Sequence, residues 1–472
     1  MQKFEQVFID GKWCDAQGNP RDVINPADAT VIASIRDASV EQTEQAILAA
    51  RRAFPAWQAT TAQQRSELIA KLVEVLQRRQ DEMVSTIRDE VGCPEWFSKL
   101  VQVEDSVDAL SKYADCCQMV EETETIENAL VIKEAIGVCS FITPWNYPLY
   151  QLVGKVGPAL AAGCTMVLKP SEQTPLHALL FAEAMAEAGF PAGVFNLVLG
   201  DGPTVGARMT SHPEVDLVSF TGSTRAGVAI SQAAAPSIKR VCLELGGKSP
   251  LLITEDAELE AAVKFGIDDV MLNSGQTCTA LTRMLVPASR YQEATAIAKQ
   301  YAESLKLADP KQEDAFLGPV SSARQLAQVE RYVELGIREG ATLLCGGQRE
   351  RDLGDGYYYQ PTIFTDVNNQ MSIAREEIFG PVLCMIPYDT IENGIDIAND
   401  TNYGLSARVF VANQEQGIAL ARQIRAGQVY VNDAEFNNFT PFGGYKQSGI
   451  GRESGKYGVE EFFEVKSIPL PQ

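Results

Sequence analysis

Apolar and polar residues alternate through QVFIDGKWCDA (residues 6–16) around Asp10-Gly11, a pattern that predicts a β-hairpin turning on that pair. Ser39 followed by Gln42 forms a capping-box pair ahead of the helical periodicity in VEQTEQAILAARRAF, so a helix is expected to start there. A second helical stretch is expected from Gln63 to Val91. From Gly137 the texture changes. Short apolar strands in GVCSFI, CTMVLKP, GVFNLVLG and VDLVSFTGS alternate with helical stretches, which predicts βαβ units and a parallel sheet. Thr174-Pro175 reads as N-cap and first turn of the helix LHALLFAEAMAEAG. After KRVCLELGGKSP the alternation resumes with LLIT, a helix from Glu258 and the strand RMLVP, so a second α/β domain is expected to begin near residue 247. The segment EETETIENALVIKEA interrupts the first domain and reads as a protruding hairpin or a solvated loop.

The chain has 472 residues, enough for two or three domains, and its 45% apolar and 22% charged residues exclude disorder. The net charge of −22 argues against nucleic-acid or membrane partners, because such a surface repels phosphate backbones and anionic lipids. Neither a secretory signal nor an apolar run of about 18 residues is visible, so a cytoplasmic location is expected. The ten cysteines form no C-x-x-C pair and there are two histidines, so no metal site is expected.

The chemistry-bearing segments are individually ambiguous. Gly222-Ser-Thr-Arg-Ala-Gly227 follows a strand and opens a helix, a place suited to a pyrophosphate and equally to a structural turn. GGKS at 246–249 fails as a P-loop, because Cys242 stands where that motif needs glycine. Cys278 follows the polar loop NSGQT, unlike the apolar surroundings of Cys139 and Cys164. A free thiol is only a few per cent thiolate at neutral pH, and neither His177 nor His212 is placed as its base. Glu244 ends a strand beside two glycines. Taken alone it reads as a solvated carboxylate, yet its neighbours Leu243 and Leu245 could raise its pKa and make it a base for water. Asn146, within TPWNYP, reads either as part of a turn or as a stiffly held oxyanion donor.

Together the blocks TPWNYP, KPSEQTP, FTGSTRAG, LELGGKSP, GQTC, EEIFGPV and PFGGYKQSGIGRE resemble, in order, those of the aldehyde dehydrogenase superfamily, over nearly the whole chain. The resemblance implies a Rossmann-like cofactor domain (1–115 and 136–246), an α/β catalytic domain (247–447) and a small β-hairpin oligomerisation arm (116–135 with 460–472) that pairs strands between subunits. It implies Cys278 as nucleophile, Glu244 as base for the deacylating water, and Asn146 with the Cys278 N–H as oxyanion holders. Cofactor contacts are implied for Trp145, Lys169, Glu172, Gly222, Ser223, Leu245, Glu377 and Phe379. Substrate contacts are implied for Tyr147, Gln151, Thr277, Thr279, Glu435, Phe436 and Phe442, with Gly154 and Leu272 nearby and Gly154 making a roomier entrance. Glu172 favours NAD over NADP, since a carboxylate accepts from a ribose hydroxyl and repels a 2′-phosphate. The expected function is oxidation of a small-molecule aldehyde to its acid through a thiohemiacetal and a thioester, by a homodimer or homotetramer. The rivals are a CoA-acylating enzyme, which Glu244 speaks against, and a silent binding protein on the same fold.

Overall fold

The computed structural model describes residues 2–471. One sheet of eight strands runs in the order Gly449–Ile450, Arg240–Glu244, Leu217–Thr221, Val138–Ile142, Thr165–Lys169, Phe195–Leu197, Gln6–Ile9 and Lys12–Asp15. Its five central strands are parallel, and the additions at both edges are antiparallel. Val138–Ile142, Thr165–Lys169 and Leu217–Thr221 are buried at every position, as strands covered by helices on both faces must be. The chain steps from Val138–Ile142 outward to Phe195–Leu197, then returns to the other side with Leu217–Thr221 and Arg240–Glu244. Crevices open at the carboxyl ends of strands where the order reverses in this way.

A second sheet of seven strands holds Thr342–Cys345, Thr362–Thr365, Val382–Tyr388, Arg283–Pro287, Pro250–Ile253, Ser406–Phe410 and Gln428–Val431. All are parallel except the first. Loops leaving the carboxyl ends of the first sheet meet loops entering the second. Asn146 Nδ2 donates to the Gln276 carbonyl at 2.8 Å, and the Gly247 N–H donates to Glu377 Oε1 at 3.0 Å.

The Asp10-Gly11 hairpin forms, with Phe8 opposite Trp13. The Ser39–Gln42 capping box closes reciprocally at the start of the helix Val40–Gln58. Two expectations need correction. The stretch from Gln63 to Val91 is two helices, Ala62–Arg78 and Gln80–Val91, broken at Arg79. Thr174 does not cap the helix Leu176–Ala188, and its hydroxyl has no partner. The buried Glu90 carboxylate does so instead, accepting from the N–H groups of Leu176 (2.8 Å) and His177 (3.2 Å) and bonding His177 Nδ1. A carboxylate outcompetes a hydroxyl there because it satisfies two orphan donors at the positive end of the helix.

The segment 121–135 is a hairpin, Thr123–Ile126 with Ala129–Ala135, and Phe463–Pro469 pairs with Ala129–Ala135 of the same chain. Among the described residues no helix is long and apolar enough to cross a membrane.

Candidate active site

Cys278 follows a tight reversal in which Asn273, Ser274 and Gly275 all have positive φ, at 50°, 55° and 75°. Left-handed residues in succession persist only where the surroundings fix them. Here Ser274 Oγ donates to the Gly318 carbonyl at 2.7 Å, and Gln276 accepts from the Ser321 N–H at 2.8 Å. Asn146 is buried against this loop. Its backbone carbonyl accepts from Gln102 Nε2 at 2.9 Å and from Asn273 Nδ2 at 3.0 Å. With one amide hydrogen on the Gln276 carbonyl, Asn146 keeps a second for another acceptor. Gln102 carries no sequence signal for this clamp, whereas Asn273 opens the polar loop that sets Cys278 apart.

The half-buried Cys278 thiol is pushed up to about 12, first by burial and then by the carboxylates of Glu377 and Glu244. Glu244 ends its strand as expected and is buried, with Oε2 unpartnered. Burial and the nearby Glu453 hold its carboxyl well above the usual range, against the pull of Lys155 and Arg452. Lys155 is itself buried, donating to Thr221 Oγ1 at 2.7 Å and to Glu453. Glu377 is raised to about 7 by burial, a shift moderated by the Gly247 N–H. The two glycines of LELGG explain this convergence. A Cβ on Gly246 would collide with the Glu377 carboxylate, and one on Gly247 with the Cys278 carbonyl.

The crevice of the first sheet collects the other expected cofactor positions. Lys169 is buried, donates to the carbonyls of Pro170 (2.7 Å) and Gly200 (3.0 Å), and lies 3.7 Å from Glu172. Ser223 caps the helix Thr224–Ala234, accepting from the Ala226 N–H, and Gly222 precedes it. Leu245 packs so closely on this helix that a Cβ on Gly227 would lie 2.8 Å from it. Trp145 and Phe379 meet edge to face with centroids 5.4 Å apart. Phe379 has a φ of 60°, and Gln325 Nε2 holds its carbonyl at 2.6 Å.

From Cys278 a cavity of about 240 Å³ leads outward, lined by Tyr147, Gln151, Leu272, Thr277, Thr279, Phe436 and Phe442. Tyr147 and Thr277 share a 2.7 Å hydrogen bond between their hydroxyls. Two expected residues do not line it. Glu435 is exposed outside the lining, and Gly154 points instead toward Glu453, whose Oε2 would lie 3.6 Å from a Cβ there. Asp105, Tyr150, Asp269, Arg408 and Tyr430 are also in the wall, and no motif in the sequence marks them. A separate cleft of about 510 Å³ over Asp366, Asp396 and Asp400 contains none of the expected catalytic, cofactor or substrate residues. Among the described residues no group of His, Cys, Asp and Glu could hold a metal.

This is the layout of an α/β enzyme in which a tunnel ends on a thiol where the loops of two sheets meet. The model of the aldehyde dehydrogenase family matches residues 13–468. A 3-succinoylsemialdehyde-pyridine dehydrogenase of a Pseudomonas species is 47% identical, with 99% of each chain covered. The structure also resembles a cysteine-to-alanine mutant of aldehyde dehydrogenase C of Pseudomonas syringae in complex with NAD+ and octanal. The TM-score is 0.97 at 44% identity, over 98% of this chain and 96% of that one. A Mycobacterium tuberculosis aldehyde dehydrogenase complexed with NAD+ gives 0.97 at 40% identity, over 100% and 99%. The chain belongs to the aldehyde dehydrogenase family.

Proposed function

We propose that the enzyme uses NAD to oxidise an aldehyde to the carboxylic acid, with Cys278 as nucleophile. The observation that carries this reading is the convergence of Cys278, Glu244, Glu377 and the Asn146 amide from two sheets onto one cleft. Cys278 gives up its thiol proton to solvent, its sulfur adds to the carbonyl carbon of the aldehyde, and the oxygen takes the negative charge. Asn146 Nδ2 and the Cys278 N–H hold that oxygen, a stabilisation worth roughly 3 kcal/mol per donor. Bound NAD supplies the hydride acceptor. Loss of hydride leaves a thioester on Cys278, which water attacks as Glu244 takes its proton. The carbon–sulfur bond then breaks, and the acid leaves.

The residues of the crevice fit the dinucleotide. Ser223 and the start of Thr224–Ala234 offer N–H groups at the positive end of a helix to the pyrophosphate. Lys169 and Glu172 would hold the adenosine ribose, and Glu377 the nicotinamide ribose. Gly222, Leu245, Trp145 and Phe379 would form the surfaces against which it lies. Glu172 favours a free 2′-hydroxyl, hence NAD over NADP. Tyr147, Gln151, Thr277, Thr279, Phe436 and Phe442 would surround the aldehyde. The cofactor domain would comprise 1–115 and 136–246, and the catalytic domain 247–447. The segments 116–135 and 460–472 would join subunits into a dimer or tetramer. All ten cysteines are free, which suits the reducing cytoplasm.

The decisive experiment measures NADH formation with an aldehyde panel, with NAD or NADP and with or without CoA. Cys278→Ala should abolish NADH formation while still binding NAD. Equal activity in that variant would overturn the mechanism. A larger kcat/KM with NADP would overturn the cofactor preference, and acyl-CoA as product would replace water with CoA.

A further inference from the structure

The tunnel above Cys278 carries a polar wall that the oxidation chemistry does not use. Arg408, on the strand Ser406–Phe410, lines the cavity although only 6% exposed. Its guanidinium lies 4.2 Å from the ring centroid of Phe265 and 4.6 Å from that of Tyr430. Nη1 donates to the carbonyls of Asn432 and Ala434, the second at 3.0 Å. Nε is closed off without a partner, and Nη2 makes no hydrogen bond among the described residues. A planar cation in contact with two rings and tied at one terminal nitrogen has little freedom to swing its other terminal nitrogen elsewhere. A donor left without a partner beside the tunnel is costly, and an acceptor arriving along the tunnel at Nη2 would relieve that cost.

The charge around Arg408 narrows the kind of acceptor. Asp269, on the helix Leu259–Met271, lines the same cavity, accepts from the Leu281 N–H at 2.8 Å and is drawn to Arg408. Asp105 adds a second carboxylate to the wall. One cation therefore faces two acids, and an anionic tail gains little from Arg408 while meeting both carboxylates. A neutral acceptor avoids that repulsion. Gln151, also buried, contributes an unpartnered Oε1, and Tyr150, Phe436 and Phe442 provide ring surfaces.

We infer that Arg408 selects aldehydes whose aromatic body carries a neutral hydrogen-bond acceptor, a ketone oxygen or a ring nitrogen. This rests on aldehyde oxidation at Cys278 and adds the class of aldehyde.

Three probes test it: a phenylbutanal, its benzylic-keto analogue, and succinic semialdehyde, each with NAD. The keto compound should exceed phenylbutanal in kcat/KM by about tenfold or more, as expected for a polar group left unpaired by the analogue. Succinic semialdehyde should be the poorest. Arg408→Met should bring the ratio of the first two to about one by lowering only the keto value, and Arg408→Lys should recover part of it. A wild-type ratio near one overturns the inference whatever the variants do. So does an equal fall for both aldehydes in Arg408→Met, which would make Arg408 a structural support for the 432–434 loop, and so does a preference for succinic semialdehyde. Oxidation of phenylbutanal by the wild type keeps these failures separate from failure of the aldehyde reading, which predicts NADH from at least one probe.

Discussion

Burial raises the proton affinity of both Glu244 and Cys278, with Glu453 adding to the shift of the carboxyl and Glu377 and Glu244 adding to that of the thiol. A carboxyl raised by burial becomes a competent base only in its ionised fraction, and that fraction grows as pH rises. Hydrolysis of the thioester should therefore accelerate with pH well above the ordinary carboxyl range. Glu244→Gln should retain a burst of about one NADH per site and lose roughly 10²–10⁴-fold in steady-state rate, together with that pH dependence. Rapid-mixing absorbance measurements separate the two phases. A lost burst with an unchanged steady-state rate would contradict the role given to Glu244. The sequence showed Glu244 at the end of its strand between two leucines, which is why its burial could be anticipated. It did not show Glu453 and Lys155, which reach the same place from 298 residues apart.

The helix Leu176–Ala188 depends on a residue from another helix. Glu90 supplies its N-terminal acceptor and at the same time engages the wholly buried His177. Glu90→Ala would leave two backbone donors and an imidazole without partners, at a cost of about 2–4 kcal/mol. Urea unfolding should report that loss, while kcat of the folded fraction stays near wild type because neither residue lines the cleft. The capping box at Ser39 and the hairpin at Asp10-Gly11 were legible because their partners lie three residues apart in the first and three to nine in the second. The break at Arg79 was not, since no glycine or proline marks it. Arg408 and Asp269 were hidden for a related reason. Each sits in a segment whose pattern reads as ordinary strand or helix, and only the tertiary fold brings the two to one wall.

At the scale of the molecule, the sheet of Thr123–Ile126, Ala129–Ala135 and Phe463–Pro469 stands with its last strand largely exposed, including Val465 and Ile468. Exposed apolar residues gathered on a small sheet mark a contact surface. The pair V465E and I468E should reduce the particle mass measured by light scattering, by placing charges in the proposed subunit contact. A wild-type monomer, or an unchanged mass in the double variant, would remove that assignment.

The first sheet begins near the amino terminus, yet one of its edges is Gly449–Ile450, paired against Leu243 and Glu244. Synthesis delivers that strand about 200 residues after the one it pairs with. The nascent polypeptide can assemble its parallel strands early, but the wall beside Glu244 stays open until residue 450 has cleared the ribosome. Contacts between such distant segments form slowly, because a long loop must close before any of them is gained. An incompletely translated chain would thus hold Cys278 and a partly built crevice without a sealed cleft.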